Sequence, residues 1–332
     1  MRWCGRVVLA MVMAVVAVSV FGWNWERSEQ RAFAALNLEP PRPLVAAGAH
    51  RLHVVADGAG SPGILFISGL GDDWRTWDRV AGRLAGSTRV VRYDRPGLGW
   101  SPRSDDALTV DAAVNDIKAL LADTALFAGP PILVGHSLGG PLARQFARQY
   151  PSLVAGMVLL DPTPVHAMPT MMNVMGSWFY RLMAWSGAVG LKRWRHYRAR
   201  PQLTREQQLR SAFLNASGAT SREPLREFRG AVGSPVLEPS RGVLATMPLT
   251  VLAAPMVAPP GFAGAVARAD AAKRLLVEES ERGRLVEVTT GHYIHWEDPD
   301  TVVAEVLRML DLIRRDSGTR VGNLRDRSGA TP

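Results

Sequence analysis

Ser137 stands in Gly135-His136-Ser137-Leu138-Gly139-Gly140, after an apolar run at residues 131–134 and before a helical pattern at 138–150. Small residues around a serine at a strand-to-helix turn have a mechanical use. The turn presses backbone against backbone, where a Cβ at the outer positions would clash, and it lifts the hydroxyl above the sheet edge. A serine hydroxyl becomes a useful nucleophile when a base takes its proton, and histidine suits a base that works near neutral pH. Attack on a carbonyl places negative charge on oxygen, so N–H donors must be set in advance. The N–H of Leu138, directly after the serine, is one candidate. Ser68-Gly69-Leu70-Gly71, which follows another apolar run, offers the N–H of Leu70 as the second.

Seven histidines could supply the base. His292 is the favoured one, because Gly291-His292 falls between the last strand-like run and the last helical pattern, on the sheet edge expected to carry Ser137. His295 is its alternative. His136 lies inside the serine turn and reads as packed, and His50, His53, His166 and His196 read as surface or cap residues. His292 and His295 could begin a metal site, but no carboxylate or cysteine cluster stands at ligand spacing, so no metal and no cofactor is expected. The only cysteine is Cys4, which leaves no intrachain disulfide and no catalytic thiol in the body of the chain.

The elements that must position these groups alternate. Residues 63–68, 89–93, 131–134, 156–160, 249–253 and 285–288 are short apolar runs; 73–84, 109–121 and 138–150 read as helices. In 109–121, Val110, Val114, Ile117 and Leu121 recur every three or four residues and mark one buried face, as Val303, Val306, Leu310 and Ile313 do near the C-terminus. Runs too apolar to have a face in water imply an α/β fold, a mostly parallel sheet flanked by helices. The alternation breaks at 162–247, which holds a Met- and Trp-rich stretch, a basic run at 192–200 and a helix opening at Thr204 with Gln207 as its capping-box partner. That segment is expected to be an inserted helical cap between two parts of the core, 44–161 and 248–315. Residues 253–264 read as a loop, and 316–332 as a flexible tail.

Residues 7–25 are apolar apart from small or interfacial residues and are long enough to cross a hydrocarbon core. Arg2 and Arg6 precede them, and Trp23 and Trp25 suit the far interface. Residues 1–25 therefore read as a signal anchor, a transmembrane helix that puts the rest of a single-pass protein on the non-cytoplasmic side. Export after cleavage of a signal peptide is the alternative. Residues 26–43, charged and then proline-rich, read as a linker.

The chain has 332 residues and a formal net charge of +9, from 39 basic and 30 acidic residues, which favours anionic surfaces without choosing among them. The basic run mixes cations with aromatics, as a headgroup interface would, though a solvated face serves equally; no nucleic-acid-binding module accompanies it, and nucleic acid is not expected as a partner. In the cap, Trp178, Phe179 and Met183, with Met168, Met171, Met172, Met175 and Trp185, could line an apolar substrate pocket, form the cap's own core or touch lipid.

Taken together, Ser68-Gly69-Leu70-Gly71, Tyr93-Asp94-Arg95-Pro96-Gly97-Leu98-Gly99-Trp100-Ser101, Gly135-His136-Ser137-Leu138-Gly139-Gly140 and Gly291-His292-Tyr293-Ile294-His295 resemble the α/β-hydrolase superfamily, in its esterase, lipase and haloperoxidase-like branch. They occur in the family's order over most of residues 44–315. The resemblance implies a Ser–His–acid triad with Ser137 as nucleophile and His292 as base, and a structural role for Tyr93 to Ser101. Two positions depart from it. Ser68 stands where a His-Gly dipeptide is more usual, and the strand ending at Ala254 runs into Pro255-Met256-Val257 where the family usually has its Asp. Some members carry the acid at the end of the preceding strand, which makes Asp161 the first candidate. Asp270, Glu278, Glu279 or no acid at all remain open, and Asp161-Pro162 could simply turn the chain into the cap.

The implied activity is hydrolysis of a carboxylic ester with an apolar acyl or alcohol part, through an acyl-enzyme. Amide, thioester, lactone and carbon–carbon bonds can be cleaved by the same parts. Epoxide and haloalkane hydrolysis are disfavoured, since they call for a carboxylate where Ser137 stands. A binding or sensor module with little turnover is the alternative from another class. The oligomeric state is not legible.

Overall fold

Among the described residues, eight strands form one sheet in the order β1-β2-β4-β3-β5-β6-β7-β8. The computed structural model describes residues 2–164, 170–232, 234, 240–256, 258 and 261–328. Strands β1 (Leu44–Ala47) and β2 (His50–Asp57) form a hairpin that adds antiparallel to the sheet at β4. The other neighbours, β3 (Ile64–Ile67), β4 (Val90–Tyr93), β5 (Ile132–His136), β6 (Gly156–Leu160), β7 (Leu249–Ala253) and β8 (Gly283–Glu287), pair in parallel. Every residue of β3, β4, β5, β6 and β7 is buried, because helices cover both faces. The mostly exposed β8 closes the sheet at its edge.

Helix α1 (Arg2–Ala34) precedes the sheet, and α2 (Asp78–Leu84), α3 (Val110–Ala122) and α4 (Gly139–Gln149) follow β3, β4 and β5. Between β6 and β7 the chain forms α5 (Thr170–Ala188), α6 (Leu191–Arg198), α7 (Arg205–Ala216) and α8 (Gly218–Ala231). Then come α9 (Ala263–Arg274), the short α10 (Ile294–Glu297) and α11 (Pro299–Ser328). On one face of the sheet Val110, Val114 and Ile117 of α3 pack with Leu142 and Phe146 of α4; on the other, Val306, Leu310 and Ile313 of α11 pack with Trp77 and Leu84. Each fully buried aliphatic side chain of this kind stabilises the fold by roughly 1.5–3 kcal/mol. The capping box expected at the start of α7 forms between Thr204 and Gln207, and α3 is capped by Thr109, which accepts from the Ala112 N–H.

Two expected boundaries move. Helix α1 continues through the segment expected to be a linker as far as Ala34, because its charges have partners in the inserted helices. The Glu26 carboxylate accepts from Arg193 Nε (2.6 Å) and Nη2 (2.9 Å), with both side chains buried. Glu29 accepts from Tyr197 Oη (2.6 Å) and Arg205 Nη2 (2.5 Å), and Phe33 stacks on Phe213 with ring centroids 4.0 Å apart. Arg193, counted in the basic run, is thus an internal partner of α1. At the other end α11 passes residue 316 and continues to Ser328, so the segment expected to be a tail is largely helical; residues 329–332 lie outside the described residues.

Candidate active site

Ser137 sits at the turn from β5 to α4 with φ of 50°, a left-handed conformation that costs a non-glycine residue energy unless its surroundings hold it. They do: its N–H donates to Leu160 O (3.0 Å), and its carbonyl accepts from the N–H groups of Gly140 and Thr163 (both 3.1 Å). The flanking glycines make the turn possible. A Cβ on Gly135 would strike the Gly139 backbone, and one on Gly139 would strike the Ile67 carbonyl. The Ser137 hydroxyl shares a hydrogen bond with Thr163 Oγ1 (3.0 Å), and neither ring nitrogen of His292 is bonded to it.

His292, in the loop between β8 and α10, is held from two sides. Its Nδ1–H faces Asp161 Oδ2 at 2.6 Å, and its carbonyl accepts from His136 Nε2 (3.0 Å). That carbonyl can only accept, so His136 carries its proton on Nε2. The His292 side chain is 45% exposed, which leaves the ring edge remote from Asp161 open to the site. His295 is buried elsewhere, with Nε2 on Thr76 Oγ1 (2.9 Å) and its ring 4.6 Å from that of Trp77. Burial and the neighbouring His136 and His292 push the His295 pKa down to about 2, so it stays neutral.

Asp161 directly follows β6 with φ of 40°, and its N–H bonds to Leu252 O (2.8 Å). Its two oxygens have separate tasks. Oδ2 meets His292, while Oδ1 accepts from the Ala254 N–H (3.1 Å) and from Lys273 Nζ (2.6 Å). Lys273, on α9, is buried and donates as well to the Ala254 carbonyl. Burial alone would raise the Asp161 pKa, but the hydrogen bonds from His292 and Lys273 outweigh it and bring the group below the usual carboxylate value. Thus the end of β7, where an acid was expected and is missing, supplies a backbone N–H and C=O that fix Asp161 and its lysine. The other acids lie away from His292. Asp270 pairs with Lys273 (3.1 Å) and Arg274 (3.0 Å), Glu279 is buried against Arg144, and Glu278 pairs with Arg241 at the surface.

Leu70 and Leu138 both line a cavity of ≈ 160 Å³ that reaches Ser137, and neither N–H is taken up by a backbone partner among the described residues. Leu138 is the N-cap residue of α4, where the helix dipole favours negative charge. The loop bearing Leu70 is held by a buried ion pair. Arg95 donates to Ser68 O (2.7 Å), Gly69 O (2.6 Å) and Glu227 Oε1 (2.5 Å), and Glu227 Oε2 accepts from the Gly71 N–H (2.8 Å). Ser68 is fixed by the Trp77 indole N–H (3.0 Å). Arg95 comes from the stretch read as structural, and Glu227 from α8, so the inserted helices help to shape the loop.

The apolar residues expected in the pocket are replaced by their neighbours. Asn173, Tyr180 and Phe228 line the cavity with Thr163, whereas Trp178 and Phe179 are 66% and 57% exposed and Met183 does not reach it. The physical reason is helix phase: α5 is apolar almost all round, so its sequence does not reveal which stripe faces the sheet. Met168 lies outside the described residues. Thr163 and Lys273 were not singled out from the sequence; a lone threonine in a loop and a lone lysine on an alanine-rich helix carry no motif. Among the described residues no group of three or more His, Cys, Asp or Glu could hold a metal ion.

Comparison with known proteins places these features in a family. Residues 64–306 match the model of the alpha/beta hydrolase family. The chain is 36% identical over 135 residues to epoxide hydrolase 3 of Mus musculus, covering 39% of this chain and 36% of that protein. It is 38% identical over 112 residues to the lipase LipV of Mycobacterium tuberculosis, covering 33% and 41%. The chain thus spans well under half the length of these curated relatives. Among solved structures, an enol-lactonase from Burkholderia xenovorans LB400 superposes with a TM-score of 0.60 at 20% identity, over 81% of this chain and 100% of that one. A thermophilic esterase from Thermogutta terrifontis gives 0.58 at 21%, over 81% and 97%. With the family model matching most of its length, and a fold shared with these hydrolases, this chain belongs to the alpha/beta hydrolase family.

Proposed function

We propose that the protein is a serine hydrolase that cleaves a carboxylic ester through an acyl-enzyme, with Ser137 as nucleophile, His292 as general base and acid, and Asp161 orienting the imidazole. The observation that carries this reading is the 2.6 Å contact between Asp161 and His292 Nδ1, which leaves Nε2 to serve as the base. In the resting arrangement the serine hydroxyl leans on Thr163. For attack, rotation about its Cα–Cβ bond must turn it away from Thr163 and toward Nε2. The proton passes to His292 as Oγ attacks the carbonyl carbon, and the N–H groups of Leu70 and Leu138 hold the oxyanion. Collapse expels the alcohol, which takes the proton from His292. Water, deprotonated by the same imidazole, then releases the acid. Asp161 remains ionised throughout, held so by Lys273.

The mostly apolar residues around the cavity support an ester with an apolar acyl or alcohol part. The epoxide hydrolase named among the relatives does not transfer, because a hydroxyl at position 137 cannot supply a carboxylate nucleophile. The apolar helix at residues 5–34, whose most hydrophobic stretch is exposed, supports a membrane anchor, with Arg2 and Arg6 keeping the N-terminus in the cytoplasm and the hydrolase on the other side. A fluorophosphonate probe tests the proposal: labelling of the folded chain that vanishes in Ser137→Ala supports it, and folded protein that does not label, or labels equally in Ser137→Ala, refutes it.

A further inference from the structure

Helix α5 has two faces with different surroundings. Its inner face supplies Asn173 and Tyr180 to the cavity over Ser137, and Gly176 packs under the ring of Phe228. Its outer face carries Val174, Met175, Trp178, Phe179, Leu182 and Trp185, each between 44% and 66% exposed. Spacings of three and four place these six side chains on one stripe. Soluble surfaces tolerate single exposed apolar residues; a contiguous stripe of this size marks a surface that something covers.

The course of α1 points to what covers it. From Val7 to Phe21 the helix exposes large apolar side chains, and beyond Gly22 it turns polar and docks on the inserted helices. The change of character falls where α1 meets the end of α5: a Cβ on Gly22 would strike the Val189 backbone, and one on Gly190 would strike the Trp25 ring. If the apolar half of α1 lies in a bilayer, Val189 stands at the depth of its boundary, and the end of α5 with it. Exposed Trp23, Leu191 and Trp194 surround this junction. Three of the tryptophans have a guanidinium over the ring: Arg27 on Trp23 (4.5 Å), Arg198 on Trp194 (5.0 Å) and Arg181 on Trp178 (5.3 Å). Amphipathic rings beside cations fit the level of phosphate headgroups, with acyl chains below.

We infer that the outer face of α5, together with the start of α6, lies in the interface of the bilayer that α1 enters, so that the roof of the active-site cavity rests on lipid. A substrate dissolved in the membrane then reaches Ser137 along α5 without crossing water. This inference rests on the anchor reading of α1, and the test separates the two. In a Cys4→Ser background of the full chain, single cysteines replace Val12, Trp178, Leu182 or Arg241 and carry a nitrobenzoxadiazole label. The proteins are reconstituted into phosphatidylcholine–phosphatidylglycerol vesicles with or without acyl-chain-brominated lipid. The labels at 178 and 182 are expected to lose emission to the brominated lipid as the label at 12 does, while the label at 241 is unchanged. Quenching at 12 with none at 178 and 182 overturns the inference and leaves the anchor standing. Absence of quenching at 12 overturns both.

Discussion

The C-terminal edge of the sheet and the outer face of the inserted helices handle their difficult groups in opposite ways. At the sheet edge Asp161, Lys273, Arg95 and Glu227 are charged, buried and paired, holding either the Asp161 carboxylate or the loop that bears Leu70. On α5 the bulky groups are apolar and exposed, Trp178 to 66% and Leu182 to 60%. A buried charge is costly to strand, so the first arrangement fixes geometry; an apolar stripe is indifferent to detail and suits a fluid partner. Substitution should therefore be expensive at the edge and cheap on the stripe.

Lys273→Met should have the largest effect, since it leaves the Asp161 carboxylate without its buried cation. Losing one partner of such a pair costs about 3–5 kcal/mol. Urea unfolding should register the loss, and turnover of a soluble ester should fall as Asp161 loses its fixed orientation. Wild-type values on both counts would mean that the lysine merely fills space. Glu227→Gln comes next. It weakens the bonds to Arg95 and Gly71 that hold the Leu70 loop, and losing one oxyanion donor lowers kcat by about 10²-fold or more, with little change in KM. An unchanged kcat would detach the cap from the oxyanion loop.

A smaller effect is expected from acid. His295 and His136 are both held neutral, chiefly by burial, with pKa values below the ordinary histidine value. Below about pH 6.5 the unfolded chain takes up protons at these positions that the folded protein does not, so stability must decline as pH falls from there. The urea midpoint should drop between about pH 7 and pH 5, and His295→Gln should flatten that slope. A slope unaltered by His295→Gln would show that other groups govern it. Trp178→Ser should change least: hydrolysis of a short, water-soluble ester should stay within a factor of about two of wild type, as expected for a residue far from the cavity. A large loss there would return Trp178 to the substrate pocket.

The same contrast governs what the sequence discloses. Ser137, Leu138 and His292 are legible because a strand-to-helix turn and a strand-end loop impose local patterns on small residues and histidine. The parallel strands are legible because burial on both faces demands unbroken apolar runs. Lys273 and Thr163 are hidden, since their partners lie 112 and 26 residues away and nothing local marks them. Glu26 and Glu29 resembled linker charges for the same reason, as their partners Arg193, Tyr197 and Arg205 are distant in sequence. In α5 the pattern fails differently: with apolar residues on both its cavity side and its outer side, periodicity cannot say that Tyr180 faces in and Trp178 out.

Fluorophosphonate labelling rates of Asp161→Asn and Asp270→Asn, measured beside wild type on folded protein, bear most directly on how His292 is oriented. Asparagine at 161 should slow labelling by about 10³–10⁴-fold, because the imidazole loses the partner that sets its tautomer, while asparagine at 270 should leave the rate within a few-fold. Normal labelling of Asp161→Asn would remove Asp161 from the triad, and a collapse confined to Asp270→Asn would move the role to the far side of Lys273.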